Sequence, residues 1–148
     1  MQKLAKNNIW IDYAHTPDAL SNALQTLHLH YPESKLRVVF GCGGDRDKSK
    51  RQQMGNIASE LAHSIILTND NPRNEQPENI IKDILVGVKI ENNTQVILDR
   101  KIAINTAITT LNEDEVLLIA GKGHETTQII GSQVLPFSDI EIALDALI

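Results

Sequence analysis

Short apolar runs alternate along the chain with stretches whose apolar residues recur at helical spacing. The apolar runs cover residues 9–11, 36–40, 64–68, 95–98 and 116–120. After each of the first four runs, a polar loop leads into apolar residues three and four positions apart, which predicts a helix. Strands that alternate with helices in this way predict a mostly parallel sheet with helices on both faces. Continuous apolar runs are typical of strands that are buried on both sides.

Local signals predict where two of the helices begin. Thr16 is a suitable N-cap, and Pro17 occupies the first helical position after it. Ser138 and Glu141 form the pattern of a capping box, which predicts a last helix over residues 140–147.

The end of the chain follows a different pattern. Residues 127–130 and 133–135 flank Gly131 and Ser132, which predicts a hairpin with a glycine turn. We therefore expect an α/β, Rossmann-like domain with a mostly parallel sheet of about six strands flanked by helices. An antiparallel edge strand or hairpin is expected near the C-terminus.

The length of 148 residues and the apolar content of 41% are sufficient for one domain with its own core. We assign residues 9–148 to that domain and interpret the polar residues 1–8 as the remnant of an interdomain linker. The formal net charge of −5 argues against a nucleic-acid or anionic-membrane surface. No apolar run approaches the ~20 residues of a membrane span, and the N-terminus lacks the apolar core of a signal peptide. We therefore expect a cytoplasmic protein.

Missing motifs limit the chemistry of the chain. Cys42 is the only cysteine, which excludes a disulfide framework and a cysteine metal cluster, and we expect it to be a small structural residue. The spacing around His28 and His30 does not favour a metal site, so we predict none. The chain has neither the P-loop pattern nor the glycine fingerprint of a dinucleotide-binding fold. If it serves a nucleotide-driven reaction, the phosphates must be bound elsewhere.

Polar side chains cluster in the loops that follow the apolar runs. In a parallel sheet these loops meet at the carboxyl edge, where ligands bind. The loops contribute Arg46, Asn71 and Arg73 together with several carboxylates. Arginine can grip a carboxylate with two hydrogen bonds, and Asp or Glu accepts from an ammonium group. The combination predicts a ligand that carries both a carboxylate and an ammonium group.

Each of these features also has a purely structural interpretation. Gly41, Gly43 and Gly44 are compatible with a tight turn. Residues 45–48 are compatible with a solvated loop whose charges cancel. Pro72 is compatible with the simple end of a strand followed by a turn.

Four loop motifs together carry a resemblance to a known family. They are DYAHTPD at residues 12–18, GCGGDRDK at 41–48, DNPR at 70–73 and GKGHE at 121–125. In this order and at this spacing they resemble the C-terminal domain of the Mur ligases, and within that family the members that add meso-diaminopimelate. The resemblance runs from about residue 9 to the C-terminus.

The resemblance implies an activity in peptidoglycan precursor synthesis. Family members use ATP and Mg²⁺ to convert the γ-carboxylate of D-glutamate in UDP-N-acetylmuramoyl-L-alanyl-D-glutamate into an acyl phosphate. The amine of the incoming amino acid then attacks that acyl phosphate. An N-terminal domain holds the UDP end, a central domain carries the P-loop and magnesium, and a Rossmann-like C-terminal domain brings the amino acid. The chain resembles only the third domain, so we expect it to partner the other two, to be inactive alone and to be a monomer.

The resemblance also implies which residues bind the ligands. The residues expected to contact diaminopimelate are Arg46, Asp70, Asn71, Pro72, Arg73, Gly121 and Glu125. Asp12 resembles a position that touches the ATP ribose, His15 one near the nucleotide and Lys122 one near the reacting phosphate. No catalytic residue is assigned to this domain.

Three other interpretations stay open. A lysine-adding relative is opposed by Arg73, because lysine lacks the distal carboxylate that this arginine is expected to hold. A stand-alone amino-acid-binding module would use the same residues without catalysis. An unrelated Rossmann-like nucleotide-binding domain is disfavoured by the missing glycine fingerprint.

Overall fold

The computed structural model describes residues 1–4, 8–89 and 93–148 and has an α/β fold. Its elements, in chain order, are β1 (Gln2–Lys3), β2 (Ile9–Asp12), α1 (Pro17–His30), β3 (Lys35–Phe40), α2 (Ser49–Leu61), β4 (Ser64–Leu67), α3 (Pro77–Leu85), β5 (Thr94–Val96), α4 (Arg100–Thr109), β6 (Glu115–Ala120), β7 (Thr127–Ile130), β8 (Gln133–Pro136) and α5 (Asp139–Ala146). Each predicted strand and helix is present, which confirms the predicted fold class.

The main sheet has six strands in the order β1-β2-β6-β3-β4-β5. Every neighbouring pair from β2 to β5 is parallel, and only β1 is antiparallel. The sixth strand therefore inserts between β2 and β3, pairing Leu117 with Ile9 on one side and with Arg37 on the other. This insertion brings the loop after β6 between the loops after β2 and β3.

Alternate residues of the central strands face two separate cores. Val38 and Leu118 point to the core that α1, α2 and α3 cover, together with Leu24. Val39 and Ile119 point to the opposite core, which α4 and α5 cover. Burial on both faces explains why these strands read as continuous apolar runs. No helix within the described ranges is long and apolar enough to cross a membrane.

The predicted helix starts are confirmed by their hydrogen bonds. The Thr16 hydroxyl accepts from the amide of Ala19 at 3.2 Å, and the Ser138 hydroxyl accepts from the amide of Glu141 at 3.2 Å. Both caps satisfy amides that have no partner inside the first helical turn. The last helix begins at Asp139, one residue earlier than predicted.

The predicted C-terminal hairpin is also confirmed. Strands β7 and β8 form a separate two-stranded antiparallel sheet, and Gly131 takes the left-handed conformation (φ +60°) in the turn. An isolated bridge between Arg73 and Ile130 links this hairpin to the loop after β4. The antiparallel edge of the main sheet is formed instead by β1, which comes from the N-terminus.

Part of the predicted linker contacts the domain. Within residues 1–8, β1 pairs with β2, and the side chain of Leu4 is buried in the core under α4. Residues 5–7 lie outside the described part of the chain. The assignment of residues 1–8 to a linker and of 9–148 to the domain stays a prediction.

Candidate functional site

A cleft of about 400 Å³ lies at the carboxyl edge of the sheet, among the loops that follow β2, β3, β4 and β6. Six of the seven residues predicted to contact diaminopimelate line this cleft: Arg46, Asp70, Asn71, Arg73, Gly121 and Glu125. They come from three loops that are 20 or more residues apart in the sequence. The strand order places those loops side by side, as expected for a parallel sheet.

Arg73 is held in an uncommon backbone conformation by the hairpin. Its φ of +51° lies in the left-handed region, which few residues other than glycine adopt. Its amide donates to the carbonyl of Ile129 at 3.1 Å, and its carbonyl accepts from the amide of Gly131 at 2.6 Å. The guanidinium Nη1 donates to the carbonyl of Gly44 at 2.9 Å, so the side chain lies across the loop after β3.

The glycines after β3 allow close approach between loops. None of Gly41, Gly43 and Gly44 has a positive φ, so none of them is required for a left-handed backbone conformation. A Cβ on Gly44 would collide with the backbone carbonyl of Pro72. A Cβ on Gly43 would lie 2.9 Å from Nη1 of Arg73. Without side chains, this loop lets Arg73 lie directly against its backbone.

Arg46 lies beside the same glycine. Its Cγ would be 3.5 Å from a Cβ on Gly43, and its Nη1 donates to the carbonyl of Asp45 at 3.0 Å. Arg46 is exposed whereas Arg73 is half-buried. Both arginine side chains therefore lie beside Gly43 in the cleft, and their guanidinium groups are suited to bind a carboxylate.

Carboxylates also line this cleft. Asp70 is buried, and its Oδ1 lies 3.5 Å from Nζ of Lys122. Glu125 is half-buried, with its Oε1 4.0 Å from the same ammonium. Gly121 has φ +115°, and a Cβ there would lie 2.8 Å from Oδ2 of Asp70. Glycine at this position therefore keeps the Asp70 carboxylate accessible in the cleft.

Lys122 is turned into the protein. Its side chain is fully buried, and Nζ donates to Oδ1 of Asn71 at 2.8 Å and to the carbonyl of Thr127 at 3.0 Å. Burial lowers the pKa of this ammonium below its usual value, although the Asp70 carboxylate opposes the shift. Its assignment to the reacting phosphate stays a prediction, and in this structure the ammonium contacts protein groups.

Of the three other predicted residues, His15 lines the cleft, whereas Asp12 and Pro72 do not. The Asp12 carboxylate accepts from the amide of Tyr13 at 2.9 Å at the end of β2. His15 stands at the rim, where its ring is 4.5 Å from that of Tyr13. Pro72 is buried and meets Gly44 through its backbone. Their binding roles stay predictions.

Cys42 lines the cleft without an activating base. Burial raises the pKa of its thiol from 9.0 to about 12, and its sulfur lies 3.7 Å from that of Met54. The thiol therefore stays protonated at neutral pH, as a structural residue would.

A buried arginine that the sequence pattern did not predict lies beneath the loop after β3. Arg51 is 1% exposed and donates to both carboxylate oxygens of Glu75, to Asp83 and to the carbonyl of Gly43. Glu75 also accepts from the amide of Asp45 at 2.8 Å. Its spacing is a partial signal, because Arg51 stands three residues before Met54 on the apolar face of α2, but the carboxylates that pair with it are distant in the sequence.

This network predicts a pH-dependent contribution to stability. The hydrogen bond from Arg51 lowers the pKa of Glu75 from 4.5 to about 2. A lowered carboxyl pKa means that the stabilisation is complete above pH 4.5 and is lost as the pH falls toward 2. We expect Glu75→Gln to lower the free energy of unfolding at pH 7 and to flatten its decline in that acidic range, measured by urea denaturation at stepped pH.

Glu78→Gln is the matched control for this prediction. Glu78 is exposed in the first turn of α3 and lies outside the network. Equal pH slopes for the two variants would show that the Arg51 interaction does not stabilise the loop.

Arg100 is a second buried arginine that the sequence pattern did not predict, and it lies at the carboxyl ends of β4 and β6. Arg100 and Asp139 are both fully buried and form two hydrogen bonds of 2.8 and 2.7 Å. Arg100 also donates to the carbonyls of Asn69 and Ala120, which directly precede Asp70 and Gly121. No sequence signal pairs two residues that are 39 positions apart. This pair ties two loops of the cleft to α5.

The donor set of the cleft does not fit a metal ion. Asp70 and Glu125 share it with an ammonium and two guanidinium groups, whereas Mg²⁺ prefers several oxygen ligands without competing cations. Among the described residues, no group of three or more His, Cys, Asp or Glu side chains is arranged to hold a metal.

Comparison with known proteins places this geometry in a family. Residues 1–123 match the family model described as Mur ligase, glutamate ligase domain. The chain is 55% identical over 139 residues to the UDP-N-acetylmuramoyl-L-alanyl-D-glutamate–2,6-diaminopimelate ligase of Coxiella burnetii, covering 94% of the chain and 28% of that ligase. It is 50% identical over 143 residues to the ligase of the same name from Rickettsia montanensis, covering 96% of the chain and 30% of that protein.

A solved structure agrees with the sequence comparison. The structure of a UDP-N-acetylmuramoyl-L-alanyl-D-glutamate–2,6-diaminopimelate ligase superposes with a TM-score of 0.92 at 40% identity, covering 99% of this chain and 31% of that one. The chain thus spans less than a third of the length of these relatives. The family match extends over most of the chain and includes three of the four loop motifs in full, so the chain belongs to the Mur ligase family, in its glutamate ligase domain.

Proposed function

We propose that the chain is the amino-acid-binding domain of an ATP-dependent ligase. That ligase would join meso-diaminopimelate to the D-glutamate γ-carboxylate of UDP-N-acetylmuramoyl-L-alanyl-D-glutamate. The observation that carries the proposal is the pairing of Arg46 and Arg73 with Asp70 and Glu125 around one cleft. The names of the relatives support the same substrate.

Diaminopimelate has a carboxylate and an amine at each end, and the cleft complements one end. Arg73 and Arg46 would hold the distal carboxylate, and Asp70 and Glu125 would accept from the distal ammonium. Asn71 and Gly121 would contact the same molecule. The other amine stays free to lose a proton and attack the acyl phosphate. Its nitrogen forms the new amide bond as the bond from carbon to the phosphate oxygen breaks and inorganic phosphate leaves.

ATP and Mg²⁺ are assigned to the rest of the ligase. ATP supplies the phosphoryl group that activates the carboxylate, and the cleft of this chain has a donor set unsuited to magnesium. Asp12 is the last residue of β2, and His15 lies in the loop that follows it. We propose that both face the nucleotide across the domain boundary. Because ATP and a UDP-linked precursor are the other substrates, the reaction belongs in the cytoplasm.

The choice of diaminopimelate over lysine depends on Arg73. Lysine lacks the distal carboxylate, so its binding would leave the two guanidinium groups with only their backbone carbonyl partners and no carboxylate. Sites built to hydrogen-bond a polar group reject ligands that lack it by factors of ~10⁴–10⁵. Arg46 is exposed and solvated, so we expect discrimination nearer to a factor of ~10³.

The test is amide formation by the full-length ligase. With ATP and the UDP-linked dipeptide, we expect kcat/KM for meso-diaminopimelate to exceed that for lysine by a factor of ~10³. Equal use of lysine would favour the lysine-adding alternative. Tight binding of diaminopimelate in a calorimetric titration, without any ATP-dependent amide formation, would favour the binding module.

A further inference from the structure

The side-chain amide of Asn71 has one defined orientation. Its Oδ1 accepts two hydrogen bonds, from Nζ of Lys122 at 2.8 Å and from the amide of Ile129 at 2.9 Å. Both partners can only donate. A flipped amide would place Nδ2 against two donors and lose both bonds, so the oxygen must face inward.

This orientation determines what Asn71 offers the cleft. Asn71 lines the cleft. Within the described residues its Nδ2 is not a buried atom that lacks a partner, so this nitrogen is accessible from the cleft. No acceptor in residues 1–4, 8–89 and 93–148 pairs with it. The group that remains for a ligand is therefore an N–H donor, and a donor recognises a carboxylate or carbonyl oxygen and not an ammonium group.

We propose that Lys122 is a positioning residue that fixes the Asn71 amide, so that this part of the cleft presents a hydrogen-bond donor to a carboxylate of the amino-acid substrate. The proposal rests on the proposed function, since it assumes that an amino acid occupies the cleft. It gives Lys122 a role through Asn71 and not through contact with the reacting phosphate.

The surroundings of Lys122 fit this role. The ammonium is fully buried and bridges three parts of the fold: Asn71 after β4, Thr127 at the start of β7 and its own loop after β6. Asp70 lies 3.5 Å away and offsets the buried charge. One further hydrogen bond strengthens the same junction, because Nε2 of Gln128 donates to the carbonyl of Asp70 at 2.8 Å.

A mutant cycle in the full-length ligase tests the proposal. Lys122→Met removes the donor at similar length, and we expect KM for diaminopimelate to rise about tenfold or more while KM for ATP stays within about twofold. In an Asn71→Ala background, the same substitution should change KM for diaminopimelate by less than about threefold, because the amide that Lys122 positions is gone. Lys101→Met, at an exposed site on α4, is the matched control.

Asn71→Asp tests the donor directly and does not depend on the folding of the Lys122 variant. The carboxylate would still accept from Lys122 and Ile129, so the melting temperature should not fall. It has no N–H to donate, so KM for diaminopimelate should rise about tenfold or more.

The outcomes separate the two proposals. If the wild-type ligase uses diaminopimelate but Asn71→Asp leaves its KM unchanged, the positioning proposal is wrong and the proposed function stands. If Lys122→Met changes KM for diaminopimelate equally with Asn71 and with Ala at that position, the positioning proposal is also wrong, because Lys122 would then act independently of Asn71. A wild-type ligase that does not use diaminopimelate would refute the proposed function itself.

Discussion

Asp139→Asn is expected to destabilise the 148-residue chain by about 3–5 kcal/mol, the usual cost of leaving a buried charge without its partner. Arg100 and Asp139 are both fully buried, and their two hydrogen bonds are 2.8 and 2.7 Å. The amide would keep one acceptor oxygen but would place an NH₂ group against the guanidinium. Since domains are typically stable by only ~5–15 kcal/mol, this is a large fraction of the total.

Urea denaturation followed by circular dichroism measures the effect. Asp145→Asn is the matched control, because Asp145 lies on the same helix but is exposed, and we expect a change within about 0.5 kcal/mol. If the two variants are equally stable, the buried pair does not hold α5 to the strand ends.

Arg73→Ala is expected to raise KM for diaminopimelate by about 10- to 150-fold in the full-length ligase, which corresponds to losing about 1.5–3 kcal/mol from a charged hydrogen bond. The guanidinium lies across the Gly43–Gly44 loop, where it donates to the Gly44 carbonyl and faces the cleft. KM for lysine should change far less, so discrimination between the two amino acids should fall.

Two further variants sharpen this prediction. Arg73→Lys keeps a charge but not the planar pair of donors, and we expect an intermediate KM for diaminopimelate. Lys101→Ala removes an exposed cation outside the cleft and should leave KM unchanged. If KM for diaminopimelate is unaltered in Arg73→Ala, and circular dichroism shows normal folding, Arg73 does not bind the substrate.

Much of the fold follows from local patterns. The apolar runs specify the central strands β3, β4 and β6 because these strands are buried on both faces. The caps at Thr16 and Ser138 specify helix starts because their hydroxyls satisfy free amides. The turn at Gly131 specifies the hairpin because glycine accepts the positive φ. These signals act over a few residues and can be read without knowing where the rest of the chain lies.

The sequence predicts which loops form the candidate site, but it does not predict how those loops are arranged in space. The loop motifs identify Arg46, Asp70 and Arg73 as chemistry-bearing residues. Their mutual positions depend on β6 pairing between β2 and β3, a contact between distant segments. The burial of Arg51 and Arg100 was not predicted, because a charged side chain is expected to be exposed unless its partners are known.

The sequence by itself therefore determined the α/β class, the approximate positions of the helices and of the strands other than β1, the hairpin and the loops that hold the chemistry. Only the tertiary structure decided the strand order, the burial of Arg51 and Arg100, and the inward turn of Lys122 that orients Asn71. The physical reason is the range of the interactions. Capping, turns and amphipathic periodicity are local, whereas strand pairing and the burial of a charge depend on groups brought together from distant parts of the chain.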